Sequence, residues 1–162
     1  MYYDFEPYNN RYNPYESCGK SFYQGRQPYR ESKDQGPNPY VTNIHEEALC
    51  NNTYRTALWT GEHLQLTLMS IDVCDDIGLE MHPNVDQFLR LEQGQGLVMM
   101  GEDKNNLCYQ QRVGEDYVIF VPAGTWHNLV NTGNIPIKLY SIYAPPNHPH
   151  GRVQVTKEDE KH

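Results

Sequence analysis

From residue 53 to residue 143 the chain is cut into short stretches, with turn-forming clusters between them at intervals of about 8–12 residues. That rhythm leaves little room for long helices and confines the fold to the all-β class, as a sandwich or a barrel. Leu64, Leu66 and Leu68 alternate with Gln65, Thr67 and Met69, the period-2 signature of a half-buried strand. Further strands are expected at 54–60, 87–92, 97–100, 107–113, 117–121, 126–131 and 137–143. Turns are supplied by Thr60-Gly61, Gly94 with Gly96, residues 102–106, Pro122-Ala123-Gly124 and residues 131–134. One short helix fits at 45–50. The stretch 144–162 is rich in Pro and His, then charged, and is expected on the surface.

The first 38 residues read differently. They hold seven of the 13 tyrosines among Asn, Pro, Gln, Arg and Gly, with almost no aliphatic side chains. Such a segment buries too little apolar surface to offset the entropy of ordering it, so a flexible Tyr-rich arm is expected. The division read from the sequence is an arm at 1–38, a barrel at 39–157 and a charged tail at 158–162. Net charge follows this division. Residues 1–40 carry five acids and five bases, and the remainder holds sixteen acids against eight bases, which is the whole net charge of −8. A body this acidic repels phosphodiester backbones, which excludes nucleic acid as the expected partner.

No run approaches the roughly 18–20 apolar residues of a membrane helix, and MYYDFEPYNN lacks the basic start and apolar stretch of a signal peptide. A cytoplasmic protein is expected, or a spore-associated one if the arm serves assembly. Cys18, Cys50, Cys74 and Cys108 form no CxxC pair, so mostly reduced thiols are expected and a zinc ribbon is not supported.

The chemistry concentrates in two places. Glu80 and His82 are two residues apart, which on a strand sends both side chains to one face. Gln87 opens the next strand, with Leu89 and Leu91 on its face, while Asp86 is turned away by alternation. Farther on, the Pro122-Ala123-Gly124 turn delivers His127 at a strand start. A closed barrel brings Glu80, His82, Gln87 and His127 onto one interior wall. Two imidazoles, a carboxylate and an amide oxygen suit a divalent transition metal with open positions (zinc, manganese, iron or nickel). Trp126 is expected to face the other way and pack between sheets. His45 and His63 read as surface residues, His148 and His150 as chain-end packing in a proline-spaced hook, His162 as tail. Met69, Met81, Met99 and Met100 read as core filler.

Pro122, Gly124, His127 and Asn131 match PxGxxHxxxN, and in this the chain resembles the second motif of the cupin superfamily. Glu80, His82, Gln87 and Gly94 resemble the first motif, with Glu in place of its first His and Gln in place of its usual Glu. The intermotif stretch is then 96–114. Over 58–61, 65–70, 77–89 and 144–151 the chain is similar to a subgroup often called mannose-6-phosphate isomerase-like, and the resemblance covers about residues 53–157. It implies a double-stranded β-helix, or jelly-roll barrel, a metal at Glu80, His82, Gln87 and His127, and a homodimer paired through exposed sheet edges.

Three functions follow from that resemblance. The first is metal-assisted aldose–ketose isomerisation of a sugar or sugar phosphate. No catalytic base is assigned for it, although Lys138 and Tyr140 are candidate pocket residues; Arg90 and Arg112 are isolated and make no phosphate cradle. The second is dioxygenase chemistry at Fe(II). The third is a non-catalytic, spore-coat-like role in which the arm makes the connections.

Overall fold

The structure, a computed structural model, describes residues 34–161. The Tyr-rich arm up to residue 33, including Cys18, and His162 lie outside the described residues. A single short helix, α1 (Ile44–Cys50), precedes nine strands: β1 (Arg55–Thr60), β2 (Gln65–Ile71), β3 (Asp86–Gln93), β4 (Gly96–Gly101), β5 (Tyr109–Val113), β6 (Val118–Val121), β7 (Trp126–Asn131), β8 (Ile137–Ala144) and β9 (Val153–Gln154). A 3-10 turn spans Lys157–Lys161. The strands make two antiparallel sheets, a six-stranded one in the order β6-β3-β8-β2-β1-β9 and a three-stranded one in the order β5-β4-β7. This is the expected all-β class. The 144–162 stretch is not wholly on the surface: β9 pairs with β1, and Gln154 is buried.

Strand alternation and register decide what the interior is made of. On β2, β3 and β8 the odd-numbered residues face inward. Pairing of β8 with β2 and β3 sets Tyr143 opposite Gln65 and Gln87, Ser141 opposite Thr67 and Leu89, and Leu139 opposite Met69 and Leu91. The rows therefore grade from polar at one end of the barrel to apolar at the other. Met69, Ile71, Leu89, Leu91, Ile137 and Leu139 join Val98 and Leu129 in one buried cluster at the apolar end. The polar end is left for chemistry.

The even-numbered residues of the same strands face outward. Leu66, Leu68 and Tyr140 lie under α1 with Ala48, Leu58 and Ile44. The leucine alternation that marks β2 in the sequence thus belongs to the face covered by the helix, and Leu64, just outside the strand, is exposed. Asn43 caps α1 by accepting from the Glu46 N–H (3.3 Å). Lys138 reaches the other end of the helix, where its buried Nζ donates to the Asn51 carbonyl and to Asn52 Oδ1. Burial lowers the Lys138 pKa. Lys138 and Tyr140 are therefore outer-face residues and not part of an interior pocket. Arg90 also points outward, pairing with Glu92 and Asp116. Glu92 in turn accepts from His45 Nδ1 at 2.7 Å, so His45, on the surface as expected, fastens α1 to β3.

Among the cysteines described, Cys50 and Cys108 are exposed free thiols, whereas Cys74 is disulfide-bonded; the reduced-thiol expectation holds for the first two and not for Cys74.

Residues 34–38 are fastened to the barrel. Asp34 accepts from the Gly36 N–H (3.0 Å), the Thr60 N–H (2.9 Å) and hydroxyl (2.6 Å), and the Gly151 N–H (2.9 Å). A Cβ on Gly36 would meet the Thr60 carbonyl oxygen at 2.1 Å, so only glycine allows this approach. Burial pushes the Asp34 carboxyl up, but the bonds from Thr60, Gly151 and Gly36, with His150 beside it, outweigh burial and hold it below its usual value. Asp34→Asn is expected to cost about 2–4 kcal/mol at neutral pH by thermal or denaturant unfolding. A depressed folded pKa stabilises above the unfolded value near 3.8 and is lost as pH falls through the folded one. The gap between wild type and variant should therefore close on acidification below about pH 4; a constant gap would mean that the charge contributes nothing.

Candidate metal centre

Between β2 and β3 the chain is irregular, and this segment carries half of the site. It runs along β7 as a ragged fourth strand of the smaller sheet, through bridges of Asp76 with Val130 and of Glu80 with His127. Glu80 and His127 exchange both backbone bonds, at 3.0 and 2.9 Å. Glu80 and His82 are therefore placed by bridging to β7 and not, as the spacing suggested, by a strand of their own.

The 122–125 turn sets His127 in place. Thr125 N–H donates to the Pro122 carbonyl (3.1 Å), and Gly124 N–H donates to the His82 carbonyl (2.8 Å). Gly124 has φ +79°, a conformation that other residues reach only with strain. One turn thereby ties the two histidine segments together. Asn131, last residue of the motif, is no ligand. Its buried amide donates to the Ile71 and Ile135 carbonyls (3.0 and 2.9 Å) and accepts from Gly133 N–H (2.9 Å), closing the β7–β8 turn.

Glu80, His82 and His127 converge: one ligand atom from each lies within 4.8 Å of the others. Glu80 Oε1 is 3.4 Å from His82 Nε2 and 3.3 Å from His127 Nε2. His127 Nδ1 donates to the Thr125 carbonyl at 3.0 Å, which in the neutral ring leaves an unprotonated Nε2 facing the carboxylate. Gln87, on β3, donates through Nε2 to Ser141 Oγ at 2.9 Å. That bond aims its carbonyl oxygen away from β8. The four atoms Glu80 Oε1, His82 Nε2, Gln87 Oε1 and His127 Nε2 are all buried without a hydrogen-bond partner. Buried polar atoms are rarely left so, and the three of Glu80, His82 and His127, gathered at one place, call for an occupant. An unprotonated His127 Nε2 facing a carboxylate oxygen at 3.3 Å is repelled by it unless a cation lies between them. Two atoms each about 2.1 Å from a common ion stand about 3.0–3.4 Å apart, so the spacing suits a transition metal.

Asp86 is turned away, as alternation required, and accepts from the Ala123 N–H (2.9 Å). Trp126 is only partly buried at the start of β7. Three residues that the sequence did not single out, or placed elsewhere, surround the centre. Arg55 is fully buried, donates to Gln154 Oε1 (2.8 Å) and lies over the Tyr54 ring. Tyr143 packs its edge on His82, with ring centroids 5.8 Å apart, and on His148, 5.0 Å apart. Burial raises the Tyr143 pKa, so its hydroxyl stays neutral. His148, expected as chain-end packing, closes this row.

An antiparallel β-barrel with two histidines and a carboxylate converging at its polar end defines a class of small barrel proteins that can hold a metal inside. The cupin domain family model matches residues 67–143, so the barrel contains a cupin domain. It is 64% identical over 127 residues to the uncharacterised protein YrkC of Bacillus subtilis (strain 168), covering 78% of this chain and 68% of that one. It is 40% identical over 119 residues to the uncharacterised protein L612 of Acanthamoeba polyphaga mimivirus, covering 73% and 72%. Among solved structures, BH2720 from Bacillus halodurans superimposes with TM-score 0.79 at 60% identity, covering 80% of this chain and 98% of that one.

Proposed function

We propose that this protein is a metal-binding cupin in which Glu80, His82, Gln87 and His127 hold one divalent transition metal, and that it catalyses aldose–ketose isomerisation of a small sugar or sugar phosphate, as a mannose-6-phosphate isomerase-like type. The observation that carries the metal reading is the convergence of Glu80, His82 and His127, whose facing atoms are buried and unpartnered; Gln87 Oε1, buried and unpartnered on β3, supports the fourth position. When bound, the metal supplies Lewis-acid polarisation of a carbonyl and its neighbouring hydroxyl. The chain's own residues do the rest. Thr125 fixes the His127 tautomer through Nδ1, and Ser141 fixes the Gln87 amide. The neutral Tyr143 hydroxyl offers a hydrogen bond beside the centre, and the apolar rows behind it exclude water.

A second reading, oxygen chemistry at Fe(II), is favoured by one feature: two histidines and one carboxylate are the ligand set of many non-haem iron oxygenases. Metal identity separates the two. Protein purified without a histidine tag should contain about one metal per chain. Manganese, zinc or nickel with sugar turnover would support isomerisation, and iron with substrate-dependent oxygen uptake would support the second reading. Chelation should lower the melting midpoint, because a metal at 100 times its Kd contributes about 2.7 kcal/mol, which is roughly 5–10 °C for a domain of this size. A chain that takes up no metal after anaerobic reconstitution would sink both readings.

A homodimer and a cytoplasmic or spore-associated placement belong to the same proposal. Supporting the dimer, edge strands β5 and β6 expose Tyr109, Val118 and Phe120. No helix among the described residues is long and apolar enough to cross a membrane.

A further inference from the structure

The backbone of His148, not its ring, makes the hydrogen bonds that fasten the hook to the barrel. Gln65, fully buried on β2, grips the hook through the main chain: Oε1 accepts from the His148 N–H (2.9 Å) and Nε2 donates to the His148 carbonyl (2.9 Å). The side chain is thereby left to point where the hook aims it, against the edge of Tyr143. Its Nε2 is buried and has no hydrogen-bond partner. One aromatic ring, Tyr143, separates it from the ligand-set residue His82. A buried imidazole nitrogen left unmet is costly, and a ligand that meets it recovers that cost.

We propose that His148 forms, with Tyr143, a recognition subsite beside the metal centre, in which His148 Nε2 hydrogen-bonds a hydroxyl of a short polyhydroxylated carbon chain whose head oxygens lie on the metal. This rests on the metal reading above. The chemical class follows from the lining. Around the Tyr143 hydroxyl stand the side chains of Ser141 and Thr67, and Gln87 joins them through Ser141. Hydroxyls, an amide and an imidazole are directional, uncharged partners, suited to reading hydroxyl groups one by one. His148 itself stays uncharged: burial, then the nearby Arg55 cation, bring its pKa down to about 3. A site built to bond a hydroxyl discriminates strongly against a ligand that lacks it.

The test uses the metal-loaded full chain and two probes with the same α-hydroxycarboxylate head. Glycolate ends there, whereas D-erythronate adds two further hydroxylated carbons. Metal content of wild type, His148→Phe and His148→Gln is measured first, then the affinity of each probe by calorimetry. Phenylalanine keeps the aromatic edge against Tyr143 and removes the nitrogen; glutamine keeps a polar group. The expected result is equal metal content in all three, erythronate weakened about tenfold in His148→Phe and partly restored in His148→Gln, and glycolate unchanged. Equal loss of both probes, no loss of erythronate, or no binding of erythronate by metal-loaded wild type would overturn the subsite. If wild type holds no metal, the first measurement shows it before any probe is added, and the metal reading fails together with what rests on it.

Discussion

Metal loading is expected to disappear when His127 is replaced by alanine, with affinity falling on the order of 100-fold or more. Removing a group that merely orients a ligand already costs about 10–100-fold, and His127 is the most deeply buried of the three converging side chains. His82→Ala should do the same with less disturbance to packing, since His82 is partly exposed. These variants also separate a metal centre from an ordinary polar core. In a polar core the histidines are bonded to their neighbours, so deleting one strands a partner and destabilises the protein. Here Glu80 Oε1 and the Nε2 atoms of His82 and His127 already lack partners. The metal-free His82→Ala protein should therefore be as stable as metal-free wild type, or more so, while the metal-dependent rise in melting midpoint vanishes. Retained stoichiometric metal in either variant would remove the residue from the ligand set. Loss of stability in the metal-free state would point to a structural network.

The sequence carried the second half of the site more plainly than the first. Pro122, Gly124, His127 and Asn131 lie within ten residues of chain, so a spacing pattern captures them, although their bonds to His82, Glu80 and Ile71 reach far back along the sequence. Glu80 and His82 depend on bridging to β7, nearly fifty residues away, and period-2 spacing could only suggest a strand that is not there. The strands themselves were legible from their turns, and so was the inward face of β3, with Gln87, Leu89 and Leu91, but not that of β2 or β8. The conspicuous leucines of β2 lie under α1, while its interior face bears Gln65 and Thr67. That same uncertainty put Lys138 and Tyr140 among pocket candidates and left out Tyr143, although all three share β8 and parity alone separates them. His148 was read as packing because a hook shows only its prolines in sequence. Its ring is aimed by a buried glutamine more than eighty residues earlier, and no local signal reports that contact.

Gln87→Glu is expected to tighten metal binding on the order of 10- to 100-fold, because a carboxylate would replace a neutral oxygen at the proposed fourth ligand position. The substitution is nearly isosteric, and the Ser141 hydroxyl, which now accepts from the Gln87 amide, can turn and donate to a carboxylate instead. The gain has a cost that appears only without metal. Two carboxylates, Glu80 and the introduced one, would then share a buried site with no cation between them, and like charges so placed oppose one another. The metal-free variant should be less stable than metal-free wild type by about 1–3 kcal/mol, and the metal-dependent rise in melting midpoint should grow correspondingly. The two effects carry opposite signs in the two states, so a general loosening of the barrel cannot imitate them. Unchanged affinity together with unchanged metal-free stability would place Gln87 outside the ligand set, and the centre would then be Glu80, His82 and His127 alone.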